Sequence, residues 1–460
     1  YLPWLRIEQP FGPVTLHHLL THTSGFPTES PLVPSGGARL RPAYAPGIRF
    51  HYSNWAYDVL GHLIATVAGE PWPRAVERRV MRPLGMRDSV GAITPAIATR
   101  AATGHVPRDD GPYPRQGALT AAGPLSVTFA AGSIAAPPAD MARYLRMLIE
   151  RGVAPGGGRI VSARAFELFA TPHVAAPAFG AGAAYGYGIV VDDSAGTRLL
   201  RHTGGMVSFM SSLQVDLDGG DGAFASINAQ QGYRPNRVAR YALELLRAAR
   251  TSGPSPAAPV ADERPSPDPA AYVGSYAHRS GRTLRVVADR GRPVLIADGR
   301  RVLLDATVPD QFVATDAAFA AHALVFERAD AAGAGDGASA AGATRPPGEA
   351  PVAVLGHGED AYFRDGYAGP RDDSTPAALR ALQGTYRSDN PWFGTLRVVA
   401  RRGTLWLATP ESETPLVPDG ENGFLLGAPG VPDRVEFDGF AEGVPQVLRL
   451  GGGDVPRAAT

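Results

Sequence analysis

The 460-residue chain contains no cysteine and no lysine. Without cysteine, disulfides, thiolate catalysis and cysteine zinc sites are excluded. A cysteine-free chain suits an extracytoplasmic compartment, so a periplasmic or secreted setting is favoured. Without lysine, arginine carries all 44 basic charges, a bias that fits a GC-rich genome. Those charges balance 44 Asp and Glu, leaving no net field to draw nucleic acid or an anionic membrane. No uninterrupted apolar run approaches the roughly 20 residues that span a bilayer, so no transmembrane segment is expected. The chain opens on neither Met nor a signal-peptide pattern.

What is present is ordinary globular material, 44% hydrophobic and 19% charged, long enough for two or three domains. Residues 1–250 mix helical and strand patterns. Val14 to Gly25 reads as a short helix capped by Thr15 and stopped by a left-handed Gly25. From Asn54 to Ala68 the apolar residues Trp55, Val59, Leu60, Leu63, Ile64 and Val67 recur at helical steps, with Ser53 or Asn54 as cap and Gly69 as stop. Asp140 to Glu150 and Asn236 to Arg247 repeat that pattern. Tyr185–Asp192, Phe209–Val215 and Ala223–Ile227 read as strands.

Residues 251–268, rich in Pro, Ser and Ala, read as a linker. Beyond them lies an internal repeat. Tyr272-Val273-Gly274-Ser275-Tyr276 followed by Thr283–Ala288 and Val294–Ala297 returns as Leu382-Gln383-Gly384-Thr385-Tyr386 followed by Thr395–Ala400 and Leu405–Ala408. Alternating apolar residues between turns predict two small antiparallel β domains, 269–368 and 379–460. The Ala/Gly-rich stretch 331–350 reads as a disordered loop in the first.

Two short motifs carry the chemistry. Tyr52-Ser53-Asn54 stands between a Pro46-Gly47 turn and the Asn54–Ala68 helix. His202-Thr203-Gly204-Gly205 follows about 150 residues later, expected just before a strand. Together they resemble the second and third active-site motifs of the serine β-lactamase and penicillin-binding-protein-like hydrolases, a resemblance that implies the His202 motif runs along the edge strand of the active-site sheet. Leu19-Leu20-Thr21-His22-Thr23-Ser24-Gly25 is a further signature of that family, read as structural. Ala131-Gly132-Ser133-Ile134 with Pro138–Tyr144 resembles its segment before a cleft-flanking helix, and Tyr185-Gly186-Tyr187-Gly188 resembles its first C-terminal sheet strand. The resemblance covers residues 1 to about 248.

The family's first motif, Ser-x-x-Lys, carries the attacking serine. A chain without lysine cannot contain it, and Tyr1 looks like a point downstream of where that motif would lie. The resemblance therefore implies an α/β fold: a β-lactamase-like domain, an antiparallel sheet with flanking helices and an incomplete N-terminus, followed by two small antiparallel β-barrel-like domains. The missing segments should leave an unpaired sheet edge.

The resemblance also implies roles. Acyl transfer needs a nucleophile, a base, an oxyanion donor pair and an acid for the leaving group. Tyr52 would be the general base when nearby cations depress its pKa. Asn54 would be a substrate and shuttle partner, His202 a cleft-facing polar group, Gly205 an oxyanion donor through its N–H, and Thr203 and Gly204 substrate-binding positions. Many family members carry Lys where His202 stands; His202 resembles the esterase and D-aminopeptidase branches. The bland alternatives are a buried Tyr beside a helix cap and a glycine turn between strands.

His17, His18 and His22 have no carboxylate cluster beside them, so no metal site is expected. Ser24 has no lysine and ends a helix, so it is not read as the nucleophile. No Gly-x-Ser-x-Gly elbow is present. The expectation is a serine hydrolase acting through an acyl-enzyme on a small-molecule or peptide substrate, a D-amino-acid peptide or ester rather than a β-lactam, with no cofactor, and with no nucleophile in this chain. The alternative is a non-catalytic peptidoglycan-binding or interaction protein. Oligomeric state is not legible.

Overall fold

The computed structural model describes residues 1–458 apart from 29–38, 98, 108–118, 124, 194–196, 230–233, 259–267, 315, 330–349, 388–394, 410–411 and 452. The chain divides into two compact units: residues 1–106, 119–259 and 451–453, and residues 107–118, 260–450 and 454–460. Residues 259–267 of the 251–268 stretch, and the 331–350 loop except Ala350, lie outside the described residues.

In the first unit, α1 (Leu16–Leu20) starts at Thr15, whose hydroxyl accepts the His18 N–H while His18 reaches back to the Thr15 N–H, a capping box. The helix is shorter than its sequence pattern. The Thr21 N–H closes it on the His17 and Leu19 carbonyls, and the chain leaves through His22 in a left-handed conformation (φ 55), three residues before Gly25. The next helix, α2 (Asn54–Ala68), has the expected bounds: Ser53 caps it and left-handed Gly69 ends it.

A six-stranded antiparallel sheet follows, built from β1 (Val174–Ala175), β2 (Ala184–Tyr185), β3 (Val190–Asp192), β4 (Leu199–Met206), β5 (Phe209–Asp216) and β6 (Asp221–Ile227). Its order is β6-β5-β4-β3-β2-β1. Helices α3 (Pro138–Ile149) and α4 (Ala163–Ala170) cover one face, where Leu145, Leu148 and Phe166 pack with Leu200, Leu213 and Val215. Helix α5 (Pro235–Thr251) covers the other, through Ala239 and Leu243 against Leu199 and Ala223. Neighbouring positions such as Leu199 and Leu200 go to opposite cores, as strand alternation requires.

Two strand expectations need correction. Tyr185–Asp192 is two strands, β2 and β3, joined by a turn in which Gly188 has φ 82 and a Cβ would lie 2.8 Å from the Tyr57 hydroxyl. The first strand of the sheet is therefore Val174–Ala175, not Tyr185-Gly186-Tyr187-Gly188. Likewise His202-Thr203-Gly204-Gly205 lies inside β4 rather than before a strand, along the strand as the family resemblance implies. The register keeps it at an edge all the same: β5 pairs with all of β4, but β3 pairs only with Leu199, Leu200 and Arg201. Among the described residues, His202–Met206 borders no strand on that side.

The second unit holds the repeat. Eight antiparallel strands from Gly274–Ala277 to Asp360–Arg364 close into a barrel, filled by Tyr276, Leu284, Leu295, Phe312, Phe326 and their neighbours. A second eight-stranded sheet runs from Gly384–Arg387 to Gly453–Pro456, and the Tyr386–Arg457 bridge joins its first and last strands.

The two closures use the same parts. Tyr276 donates its hydroxyl to the Tyr272 carbonyl at 2.7 Å, and Tyr386 donates to the Leu382 carbonyl at 3.1 Å. The Arg364 guanidinium donates to the Val273 carbonyl, and Arg457 donates to the Gln383 carbonyl. Both guanidinium groups lie where a Cβ on Gly274 or Gly384 would be, 2.9 Å and 2.7 Å from side-chain atoms. The glycine of the repeated Gly-x-Tyr is thus the space in which a last-strand arginine clamps the first strand.

Candidate active site

Ser53 sets the geometry ahead of α2. Its Oγ accepts the Ala56 N–H at 3.2 Å and donates to the Pro27 carbonyl at 2.7 Å. Its own N–H donates to His22 Nδ1 at 3.0 Å. The His51 N–H donates to the His22 carbonyl at 2.8 Å. Tyr52, between these two bonded amides, has its backbone fixed against the segment that follows α1.

The Tyr52 ring lies on His22, centroids 4.2 Å apart and planes 37° from parallel. His22 is also in contact with Tyr57 at 4.8 Å, Tyr185 at 4.9 Å and Phe50 at 5.7 Å. On the other side, Tyr52 and His202 stand with ring centroids 6.4 Å apart. The Tyr185 hydroxyl and His202 Nε2 share a hydrogen bond of 3.1 Å. The structure therefore brings the Tyr52 and His202 motifs together.

Burial keeps this cluster uncharged near neutral pH. It lowers His22 to about 3, aided by His202 and His51. It lowers His202 below its usual 6.5 against an opposing backbone hydrogen bond with Thr203. It raises Tyr57 and Tyr185, helped in each by a neighbouring tyrosine. These four described neighbours supply no cation to the Tyr52 phenol.

The open half of β4 orients its amides. Met206 and Phe209 flank a two-residue turn and so form a hydrogen-bonded pair. Alternation makes Gly204–Ser211 and His202–Leu213 bonded pairs as well, and turns the N–H groups of Thr203 and Gly205 to the unpaired side. The two glycines differ. A Cβ at Gly204 would lie 2.5 Å from Ser211 Oγ, whereas one at Gly205 would meet nothing within 4 Å. Gly204 serves the sheet; Gly205 leaves open space beside an outward N–H. Thr203, ahead of both, is exposed.

Asn54 is the first residue of α2, half-buried, with its backbone N–H bonded to the Thr28 carbonyl at 2.8 Å. Its side-chain amide makes no hydrogen bond to the described residues, so the structure does not join it to Tyr52 or His202. Ser24 is fully buried and accepts the Phe26 N–H at 3.3 Å, a turn contact. His18 works in the α1 cap and His17 bonds the Tyr187 hydroxyl at 2.9 Å.

Two site neighbours were missed in the sequence. Tyr185 reads there only as a strand residue, and His22 only as part of a structural signature. Neither carries a local pattern that reports a partner about 20–180 residues away; only the register of β2 and the exit angle of α1 place them.

Residues 1–248 match the family described as Beta-lactamase. The chain is 30% identical over 167 residues to the D-alanyl-D-alanine-carboxypeptidase/endopeptidase AmpH of Escherichia coli (strain K12), covering 32% of this chain and 40% of that protein. It is 31% identical over 170 residues to Penicillin-binding protein 4 of Amycolatopsis lactamdurans, covering 34% and 43%. It is 37% identical over 99 residues to Esterase EstB of Burkholderia gladioli, covering 16% and 25%. The chain thus spans about two-fifths of the length of the first two relatives.

Proposed function

Because the chain belongs to the β-lactamase family, whose members here include a carboxypeptidase and an esterase, we propose that its first unit is the proton-shuttle and oxyanion half of a serine hydrolase site. The observation that carries this is the approach of Tyr52 to His202 beside the outward Gly205 N–H. Tyr52 is the general base, Gly205 one oxyanion donor, and His202 a polar wall held by Tyr185. Thr203 and Gly204 line the same open strand, and Asn54 meets the substrate amide at the head of α2.

Without lysine, residues 1–460 hold no Ser-x-x-Lys, so this reading requires the attacking serine and its lysine to be supplied from outside them. That lysine is also the cation that the Tyr52 cluster itself does not provide. The substrate class follows from charge. A neutral His202 carries no charge to balance a carboxylate, so neutral esters and D-amino-acid amides fit better than a penicillin or cephalosporin, which carries one on the ring fused to its β-lactam.

One observation favours a second reading, a non-catalytic binder of peptidoglycan peptides: the missing Ser-x-x-Lys. The two are separated by an in-frame N-terminal extension of the coding sequence carrying Ser-x-x-Lys. With it, p-nitrophenyl esters or D-amino-acid amides should be hydrolysed, and Tyr52→Phe should lower kcat by about 10²–10⁴-fold. A loss under roughly tenfold would remove Tyr52 from this role.

A further inference from the structure

His22 is among the most unusual residues of the first unit. It is 1% exposed, adopts φ 55 although it is not glycine, and leaves its Nε2 buried without a hydrogen-bond partner among the described residues. A left-handed conformation is unfavourable for a residue that carries a Cβ. A buried donor left unpaired adds a further cost. Two costs at one residue point to something the conformation provides locally.

What it provides is a double hold on Tyr52. Nδ1 accepts the Ser53 N–H, which fixes the tautomer: the ring proton sits on Nε2 and the ring is neutral. The His22 carbonyl accepts the His51 N–H. One residue therefore bonds the amides on both sides of Tyr52, and its ring lies against the Tyr52 ring at 4.2 Å. Phe50, Tyr57 and Tyr185 close the rest of the imidazole, and His202 and His51 are the other titratable groups near it. A cation in this place would repel the lysine that the proposed mechanism brings to Tyr52; a neutral ring does not.

We propose that His22 is a positioning residue for Tyr52, holding the phenol through its ring face and through the Ser53 N–H bond in a single Nε2–H tautomer. This rests on the role proposed for Tyr52, but its test does not need catalysis. Both residues lie in the chain as it stands, so a failure here leaves the hydrolase reading to its own assay.

The experiment uses the full chain labelled with ¹³Cζ-tyrosine and ¹⁵N-histidine. The Tyr52 resonance is assigned by its loss in Tyr52→Phe. His22 should show the Nε2–H tautomer alone, unchanged from pH 8 to pH 5. In His22→Ala the Tyr52 resonance should broaden and its titration midpoint move by about half a pH unit or more. Tyr276 and Tyr386, in the second unit, should stay in place. His22→Asn keeps an acceptor for Ser53 and tolerates a positive φ. It should restore the line width but not the midpoint, because the ring is gone. Should His22→Ala fail to fold, the Asn variant decides. A Tyr52 midpoint unchanged in the folded variant, or a His22 that titrates near pH 6, overturns the assignment.

Discussion

The rings of Tyr52 and His202 lie 6.4 Å apart although about 150 residues separate them in the chain. Two local devices achieve this. The Ser53 cap fixes the backbone that leads from Tyr52 into α2, and the short pairing of β3 leaves His202 at the start of an open half-strand.

The open half-strand should be visible in hydrogen exchange. The Thr203 and Gly205 amides face the unpaired side, while His202 and Gly204 bond to β5. Thr203 and Gly205 should therefore exchange much faster than His202 and Gly204 in the native chain. Uniform protection from Leu199 to Met206 would show that the edge is covered and unavailable as an oxyanion site.

Burial of His202 sets the charge preference of the cleft. Its pKa is lowered below 6.5, so a cation forms there only as the pH falls beneath that value. Carboxylate-bearing ligands such as N-acetyl-D-alanine should bind more tightly towards pH 5 than at pH 8, while a neutral ester analogue should show no such trend. Calorimetric titration of both across that range checks it. Equal trends, or tighter carboxylate binding at high pH, would contradict a neutral His202.

His22 also couples folding to pH. Its folded pKa, about 3, lies below the ordinary 6.5, so the unfolded chain binds the extra proton between those values. Stability of the first unit should be full above about pH 6.5 and fall by about 1.4 kcal/mol per pH unit for this group as the pH drops towards 3. Denaturant titrations at pH 7 and pH 5 measure this. In folded His22→Asn the pH 7-to-5 loss should shrink; no change in the loss would place the proton elsewhere.

The repeated clamp makes a matched pair of stability predictions. Tyr276→Phe leaves the Tyr272 carbonyl without its donor, and Tyr386→Phe does the same to Leu382. Each should cost about 1–3 kcal/mol in denaturant melts of the full chain. Gly384→Ala should cost at least as much, because its Cβ would lie 2.7 Å from a guanidinium held by the Gln383 and Pro445 carbonyls. A neutral outcome for both tyrosines would mean the clamp is incidental to closure.

Much of the architecture was legible because its signals are local. The cap at Ser53, the apolar spacing to Val67 and the stop at Gly69 reproduce α2 residue for residue. The two Gly-x-Tyr blocks foretold the paired β structures, whose strands begin and end within about two residues of the alternating runs. What was not legible depends on distant partners. The pattern from Val14 to Gly25 continues past the point where Thr21 and His22 end α1. The run from Tyr185 to Asp192 reads as one strand, yet the chain turns at Gly188, whose missing Cβ leaves room for the Tyr57 hydroxyl. Of the candidate site, Tyr52, His202 and Gly205 were readable as motifs; the neighbouring Tyr185 and His22 were not, since their contacts come from the sheet register and a left-handed turn.

The most direct test of a half-site lacking its nucleophile is intact-mass analysis after incubation with a fluorophosphonate, run on residues 1–460 and on a form extended in frame to a Ser-x-x-Lys. The expected result is no adduct on 1–460 and one stoichiometric adduct on the motif serine of the extended form, formed far more slowly in Tyr52→Phe. A stoichiometric adduct on any serine within 1–460, or an extended form that stays unlabelled, would contradict it.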